Sequence, residues 1–149
     1  EGGRIQETAL LAAEAFIISA GITEGIKNLA GRERPNNADD HDIFEGLGGS
    51  KSFPSGHSTH AWALAAVVAS EYQHSPIIQI SAYSLAALTS LARINDNKHW
   101  ASDVVFGGAI GYFVGKFVYA ENPFHNSDNM LFGPMAVAHG TGVQMTYKF

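Results

Sequence analysis

The chain has 149 residues, of which 46% are hydrophobic and 15% charged, so it is long enough to bury one core and is unlike a disordered segment. Its formal net charge of −5 argues against a general nucleic-acid binder, because such proteins normally present a basic face. The lack of cysteine excludes a disulfide framework and a thiolate metal site.

The first predicted element is a long helix over residues 5–29, where apolar residues recur at helical spacing. Pro35 disfavours helical geometry at Arg34 and is expected to end this helix. A polar, glycine-rich loop follows over residues 36–53 and contains an acidic cluster, which consists of Asp39, Asp40, His41 and Asp42. For this cluster we favour a solvated loop that shapes substrate entry over a metal site.

Three further helices are predicted over residues 57–72, 76–92 and 100–119. In the last of them Gly107, Gly111 and Gly115 recur every fourth residue and form one smooth face suited to close helix contact. We therefore expect an all-α helical bundle over residues 5–120, within a single domain that covers residues 1–149.

The C-terminal tail differs in kind from the rest of the chain. Two short strands are predicted over residues 135–139 and 143–149, joined by a turn at Gly140-Thr141-Gly142. Such an alternating strand with an aromatic end is also typical of outer-membrane barrels, but one hairpin cannot close a barrel. We expect a β-hairpin within residues 133–149 that packs on the bundle.

The apolar runs are short for a membrane protein. Residues 104–115 fall short of the roughly 20 residues that a spanning helix needs, and residues 72–92 carry several polar side chains. A soluble or peripheral domain is therefore expected, with membrane embedding as the alternative. Because the chain opens at Glu1 without a leader, we expect a processed form that is periplasmic or exported, or one attached through a segment missing from this chain.

The first cluster of charged residues lies near the end of the first helix. Lys27 and Arg34 are seven residues apart, which on a helix puts them two turns apart on one face. Two cations placed in this way form either an anion clamp or solvated surface charge. Their spacing alone favours the surface interpretation.

The second cluster is the run Pro54-Ser55-Gly56-His57 at the start of the second helix. Ser55 is a suitable N-cap, and the amides of a helix N-terminus bind phosphate. Gly56 permits close approach of the backbone to an anion, and His57 exchanges protons near neutral pH. Taken alone, the run equally fits an ordinary capped helix with a surface histidine.

The third cluster is Arg93, His99 and Asp103. His99 and Asp103 are four residues apart, so on a helix the carboxylate can accept a hydrogen bond from one imidazole nitrogen and leave the other as a nucleophile. Arg93 adds a planar donor fork suited to phosphate oxygens. An ordinary helical His–Asp pair near an arginine is the alternative.

Together, the three clusters resemble the signature of the type 2 phosphatidic acid phosphatase superfamily, which includes bacterial class A acid phosphatases, lipid phosphatases and vanadium haloperoxidases. The shared order is Lys-x6-Arg-Pro, then Pro-Ser-Gly-His, then Arg-x5-His-x3-Asp, and it spans residues 27–103. The family usually has serine before the third-cluster arginine, where this chain has Ala92. We expect this change to affect fine tuning and not the chemistry.

The resemblance implies a helical bundle with one phosphate pocket and a phosphatase that hydrolyses phosphomonoesters or lipid (pyro)phosphates without a metal or another cofactor. It makes His99 the nucleophile that becomes phosphohistidine and Asp103 the residue that orients it. His57 then protonates the leaving group and later activates water. The residues implied to bind the phosphate are Lys27, Arg34, Ser55, Gly56 and Arg93.

Two other functions stay open at this point. One is a vanadium-dependent haloperoxidase, in which the third-cluster histidine binds vanadate, although such chains are usually much longer. The other is a non-catalytic phosphate-binding module, against which the intact His57, His99 and Asp103 argue. The expected partner is a phosphate-ester or phospholipid-type substrate, with possible peripheral membrane contact and no nucleic acid.

Residues outside the three clusters receive structural or minor roles. His60, one turn beyond His57, is expected to lie behind the pocket wall, and Trp100 to pack against the bundle. The remaining histidines are treated as surface residues. They are His74, His125 and His139.

Overall fold

The computed structural model describes residues 2–37, 40, 43–122, 130–137 and 140–147. Four helices run in chain order as α1 (Gly2–Ala30), α2 (Gly56–Glu71), α3 (Pro76–Asn95) and α4 (Ala101–Ala120). They confirm the all-α helical bundle. The predictions for Asp39, His41, Asp42, His125 and His139 lie outside the described residues.

The end of α1 is set by a glycine and not by Pro35. Gly31 adopts a left-handed φ of 59°, and its N–H donates a hydrogen bond of 3.1 Å to the Lys27 carbonyl, which closes the last turn. Arg34 therefore lies beyond the helix, in the connection that leads to α2. The interpretation that put Lys27 and Arg34 on one helical face is wrong.

The glycine face of α4 packs directly against the backbone of α2. A Cβ atom added at Gly107 would lie 2.6 Å from the Ser55 carbonyl oxygen, and one added at Gly111 would collide with the Thr59 carbonyl oxygen. At Gly115 the same addition would collide with the Ala63 carbonyl oxygen. The predicted close helix contact is confirmed, and it holds the start of α2 against the start of α4.

Buried polar side chains tie α2, α3 and α4 together beside this contact. The Ser58 hydroxyl lies 2.8 Å from the Ser90 hydroxyl and donates to the Val104 carbonyl at 2.8 Å. The Trp62 indole N–H donates to the Ser90 oxygen at 3.1 Å. Since these groups find partners inside the bundle, their burial carries little desolvation penalty.

Three helices, α1, α3 and α4, are long and apolar enough to cross a membrane. Large apolar side chains stand on their outer faces, with Ile17 70% and Phe113 69% exposed, whereas Ser19 and Ser90 point inward and are buried. Some of the polar residues that interrupt the apolar runs in sequence therefore point into the bundle, while others, such as Glu14 and Ser84, stay exposed on the helix exteriors. This arrangement weighs against the soluble or peripheral domain predicted from the runs.

Residues 120–149 form a compact unit separate from residues 1–119. In it, β1 (Met130–Val137) and β2 (Gly140–Tyr147) pair antiparallel, with Met130 opposite Tyr147 and Val137 opposite Gly140. The turn predicted at 140–142 is wrong, because those residues pair within β2. The single domain over residues 1–149 stays a prediction.

Candidate active site

Residues from all three sequence clusters meet where α1 ends, α2 begins and α3 connects to α4. His57, the first-turn histidine of α2, lies at the rim. Partial removal from water lowers its pKa, and nearby groups that can carry positive charge lower it further. Those groups are Arg93, His99, Lys27 and Arg34. The site therefore concentrates positive charge around one proton-exchanging group.

His99 is buried just before α4, with 4% of its surface exposed. Its Nδ1 lies 2.8 Å from the backbone carbonyl oxygen of Ser52. Because a carbonyl oxygen only accepts hydrogen bonds, Nδ1 carries the proton, and in the neutral ring Nε2 keeps a free lone pair. This tautomer is the one that a nitrogen nucleophile requires.

Asp103 supports His99 in a different way from the one predicted. Its Oδ2 lies 3.6 Å from His99 Nδ1, which is too long for a hydrogen bond but close enough to stabilise positive charge on the ring. The direct hydrogen bond expected from the four-residue spacing is replaced by the bond from His99 to the Ser52 carbonyl.

The Asp103 carboxylate is fully buried and is held by three donors. Arg32 Nη1 lies 2.6 Å from Oδ1, and the Ser52 hydroxyl donates to Oδ2 at 2.5 Å. The backbone N–H of Trp100 donates to Oδ2 at 2.9 Å. Buried carboxylates of this kind keep a defined position because their hydrogen-bonding capacity is met on all sides.

Arg32 and Ser52 are two residues at the site that were not predicted from the sequence. Arg32 follows Gly31 directly, and Ser52 precedes the second cluster by two residues, so neither has a spacing that would mark it. Both are buried, and they meet because the Ser52 N–H donates to the Arg32 carbonyl at 3.0 Å across the connecting loop. The one sequence feature that could have indicated this contact is the polar loop, which returns to the end of α1.

Ser55 and Gly56 build the helix N-terminus at the site. Ser55 is fully buried, and its Oγ accepts a long hydrogen bond of 3.5 Å from the Ser58 N–H, which confirms the predicted N-cap. The Ser55 N–H donates to the Asp103 carbonyl at 2.9 Å. Ser55 thus joins α2 to α4, and its predicted direct contact with phosphate stays a prediction.

Lys27 reaches from α1 over the N-terminus of α2. A Cβ atom at Gly56 would lie 3.3 Å from Lys27 Nζ and 3.9 Å from His60 Nε2, so the lysine ammonium stands close to the backbone at the start of α2. The Lys27 ammonium also lies 3.5 Å from Glu24 Oε1. A cation above helix-terminal amides is a favourable place for a phosphate group.

A cavity of about 180 Å³ opens between α1 and α2 beside these residues. Its polar lining includes Thr23, whose buried hydroxyl has no hydrogen-bond partner among the described residues. His60, predicted to lie behind the wall, in fact lines the cavity and is anchored by Nδ1, 3.2 Å from the Ser19 hydroxyl. The complete lining is Ala20, Thr23, Glu24, Lys27, Gly56, His57 and His60.

Arg93 and Arg34 complete the positive surroundings. Arg93 lies in the last turn of α3, and its Nη2 donates to Asp96 at 3.0 Å, while its buried Nε has no partner among the described residues. That N–H is a hydrogen-bond donor that a bound anion can accept from. Arg34 is half-buried in the connection after α1.

Of the other predictions, His74 is exposed, and the Trp100 indole donates to the Glu33 carbonyl at 2.9 Å.

The sequence model of the PAP2 superfamily matches residues 8–126 of the chain. Lipid A 1-phosphatase from Porphyromonas gingivalis is 42% identical over 71 residues, which cover 47% of this chain and 16% of that protein. Lipid phosphate phosphatase 1 from Arabidopsis thaliana is 30% identical over 170 aligned residues, which cover 89% of this chain and 50% of that protein. The chain therefore spans at most half the length of these two relatives.

Among solved structures, the fold is similar to the crystal structure of a transmembrane PAP2-type phosphatidylglycerolphosphate phosphatase from Bacillus subtilis. The TM-score is 0.60 at 24% sequence identity, and the match covers 79% of this chain and 59% of that one. At this identity the likeness establishes the fold.

Proposed function

The chain belongs to the PAP2 superfamily, and we propose that it is a phosphatase that hydrolyses a lipid phosphate, or a related phosphomonoester, through a phosphohistidine at His99. The single observation that carries the proposal is the bond from His99 Nδ1 to the Ser52 carbonyl, which leaves Nε2 unprotonated inside a cationic site. The names of the two curated relatives, both of them phosphatases of lipids, support the substrate class.

Phosphate binding uses the positive groups at the helix ends. Lys27 and the N-terminal amides of α2 contact the phosphate oxygens from one side, and the free Arg93 N–H donates from another. Arg34 adds charge at the rim. These groups neutralise the equatorial oxygens as phosphorus is attacked, which is the largest contribution that a site can make to phosphoryl transfer.

In the first half-reaction, His99 Nε2 attacks phosphorus and the bond from phosphorus to the ester oxygen breaks. His57, protonated at the start, gives its proton to the departing alkoxide so that an alcohol leaves. The ring of His99 becomes positively charged, and both the Ser52 carbonyl at 2.8 Å and the Asp103 carboxylate at 3.6 Å stabilise it. General acid help of this kind contributes about 10²–10⁴-fold in rate.

In the second half-reaction, neutral His57 takes a proton from water as the water oxygen attacks phosphorus. The bond between phosphorus and Nε2 breaks, inorganic phosphate leaves, and His99 returns to its neutral form with Nδ1 still bound to the Ser52 carbonyl. His57 is then protonated again for the next turnover. Metal independence is part of this proposal, since cationic side chains hold the phosphate. No cluster of three or more potential metal-binding side chains occurs among the described residues.

The leaving group is assigned to the cavity between α1 and α2. In-line attack puts the leaving oxygen opposite the nucleophile. His57 lines this cavity and His99 does not, which fits an alcohol that departs on the His57 side. The polar lining suits a head group, while the apolar exteriors of α1, α3 and α4 suit a surrounding bilayer. We therefore place the protein in a membrane, and its periplasmic or exported location stays a prediction.

The test is hydrolysis of a chromogenic phosphomonoester, and then of phosphatidic acid in detergent, with EDTA present. The comparison is between the wild type, His99→Ala and His74→Ala, which removes an exposed histidine away from the site. We expect turnover that survives EDTA, is retained in His74→Ala and is lost in His99→Ala. Turnover that EDTA abolishes would contradict metal independence, and turnover that persists in His99→Ala would contradict the nucleophile.

A further inference from the structure

We propose that Arg32 is a positioning residue that keeps the Asp103 carboxylate charged and fixed beside the His99 ring. The inference rests on the proposed phosphatase function and extends it, because the mechanism above gives Arg32 no role. Arg32 is one of the few charged side chains buried among the described residues, with 5% of its surface exposed.

The Arg32 guanidinium is fixed from several directions. Its Nη1 donates to Asp103 Oδ1 at 2.6 Å and to the Ser102 hydroxyl at 2.7 Å. The rings of Phe44 and Trp100 lie 5.0 Å and 5.7 Å from its central carbon. A planar group held between aromatic rings and a carboxylate has little freedom to turn toward a substrate. Arg32 therefore acts on the protein and not on the phosphate.

The backbone of Arg32 reaches His99 by a second route. The Arg32 carbonyl accepts the N–H of Ser52 at 3.0 Å, and the Ser52 carbonyl accepts the Nδ1 proton of His99. The Ser52 hydroxyl donates to the same carboxylate that the guanidinium binds. Arg32 thus holds both groups that define the position of the His99 ring.

The electrostatic consequence follows from the distances. The carboxylate charge of Asp103 lies 3.6 Å from Nδ1, where it stabilises the positive ring that forms as Nε2 attacks. Asp103 is fully buried, so this charge needs a partner, and the Arg32 guanidinium supplies one 2.6 Å from the other carboxylate oxygen. Among the described residues, the charged and titratable groups next to the Asp103 carboxylate are Arg32 from the loop at 2.6 Å and His99 at 3.6 Å, while Arg93 from α3 and Lys27 from α1 act on His57 at the start of α2.

Removal of the Arg32 charge leaves the buried Asp103 carboxylate without a counter-ion, which favours its protonated form. Protonated Asp103 no longer stabilises the positive His99 ring, so the acidic limb of kcat/KM moves to higher pH. A charge change at this distance typically shifts such a limb by about one pH unit or more. A lysine at the same position keeps the charge but loses the planar guanidinium. Arg32→Lys should therefore leave the acidic limb at its wild-type pH and lower kcat.

The experiment measures kcat/KM against pH, together with the melting temperature, for the full chain in detergent. The variants are Arg32→Met, Arg32→Gln and Arg32→Lys. The matched control is Arg4→Met, because Arg4 forms a similar pair with the buried Glu71 at 2.9 Å and lies about 34 Å from Lys27 along α1. Arg4→Met should lower the melting temperature without moving the acidic limb.

We expect an acidic limb about one pH unit higher in Arg32→Met, or in Arg32→Gln if the methionine variant does not fold. An unmoved limb in a folded neutral variant, with only a lower melting temperature, would overturn the proposal and make Arg32 purely structural. If the wild type itself fails to turn over phosphate esters, the proposed function fails. If the wild type depends on His99 but the acidic limb does not move in the Arg32 variants, only this inference is contradicted and the proposed function stands.

Discussion

Among the described residues, two arginine–carboxylate pairs with a buried acid lie toward opposite ends of the helices in residues 1–119. Arg32 meets Asp103 at 2.6 Å where the sequence clusters converge, and Arg4 meets Glu71 at 2.9 Å near the opposite end of α1. The carboxylates are 0% and 5% exposed. In chemistry and burial the acids are close to equivalent.

The surroundings of the two pairs differ. Asp103 receives donors on both oxygens, and its arginine is itself buried, whereas Arg4 is 49% exposed and Glu71 Oε2 has no partner among the described residues. Only the Asp103 pair lies beside a histidine with a free Nε2 and beside several cations. A buried pair alone therefore does not mark an active site in this fold. The active site is marked by the hydrogen-bond network that surrounds Asp103 and by the proton-exchanging histidines beside it.

The largest effect should separate the two acids. Asp103→Asn keeps the shape but removes the charge that stabilises the imidazolium ring during attack, so we expect kcat to fall by about 10³–10⁴-fold. Glu71→Gln at the other end should leave kcat within about two-fold of the wild type, since it touches none of the proposed machinery. Steady-state kinetics on one phosphomonoester measures both. Equal losses in the two variants would erase the functional distinction between the pairs.

The next effect concerns the proton donor at the Asp103 end. His57→Asn should lower kcat about 10²–10⁴-fold for an alkyl phosphate, whose poor leaving group needs a proton. For an aryl phosphate with a good leaving group the loss should be much smaller. The measurement is the ratio of the two substrates in wild type and variant. An identical loss for both esters would show that His57 does not protonate the leaving oxygen.

A third prediction addresses the packing that holds α2 against α4. Gly111→Ala forces a Cβ atom into the Thr59 carbonyl oxygen, so we expect a cost of about 1–3 kcal/mol in the free energy of unfolding. Gly21→Ala is the matched control, because a Cβ atom there meets nothing within 4 Å. Thermal unfolding in detergent measures both. A Gly111→Ala variant as stable as Gly21→Ala would mean that the two helices are not in such close contact.

The smallest effect is a shift in pH dependence. Burial and nearby cations hold the pKa of His57 below its ordinary value of 6.5, so the free enzyme loses its general acid as pH rises through that lowered value. A bound phosphate dianion favours protonated His57 and raises this pKa. The basic limb of kcat should therefore lie at higher pH than that of kcat/KM. Coincident limbs would indicate that His57 does not face the phosphate.

Much of the bundle could be predicted from local pattern. Apolar periodicity located the four helices, and the four-residue repeat of Gly107, Gly111 and Gly115 located the contact between α2 and α4. The end of α1 was placed less well, because Gly31 in a left-handed conformation closes the helix before Pro35 acts. The membrane character was missed because the apolar run over residues 104–115 is shorter than α4, which extends over Ala101–Ala120, and because polar residues within 72–92 counted against a spanning helix although one of them, Ser90, points into the bundle.

The candidate site was predictable only in part. Spacing along a helix brought His99 and Asp103 together, but it did not show that Ser52 would take the hydrogen bond from His99. Arg32 and Asp103 are 71 positions apart, and they meet through a loop whose path no periodicity encodes. Contacts of that kind depend on tertiary structure, which explains why the residues that hold the nucleophile were the ones not identified.

The most direct test of the central claim is to trap the phosphorylated protein. His57→Asn, mixed with a radiolabelled aryl phosphate and quenched within one turnover, should carry label on the chain, because attack proceeds while water activation is slow. The label should survive alkali, be released by acid as phosphohistidine is, and be absent when His99→Ala is added to the variant. Acid-stable label, or turnover by the wild type with no labelled protein at any time, would contradict a phosphohistidine at His99.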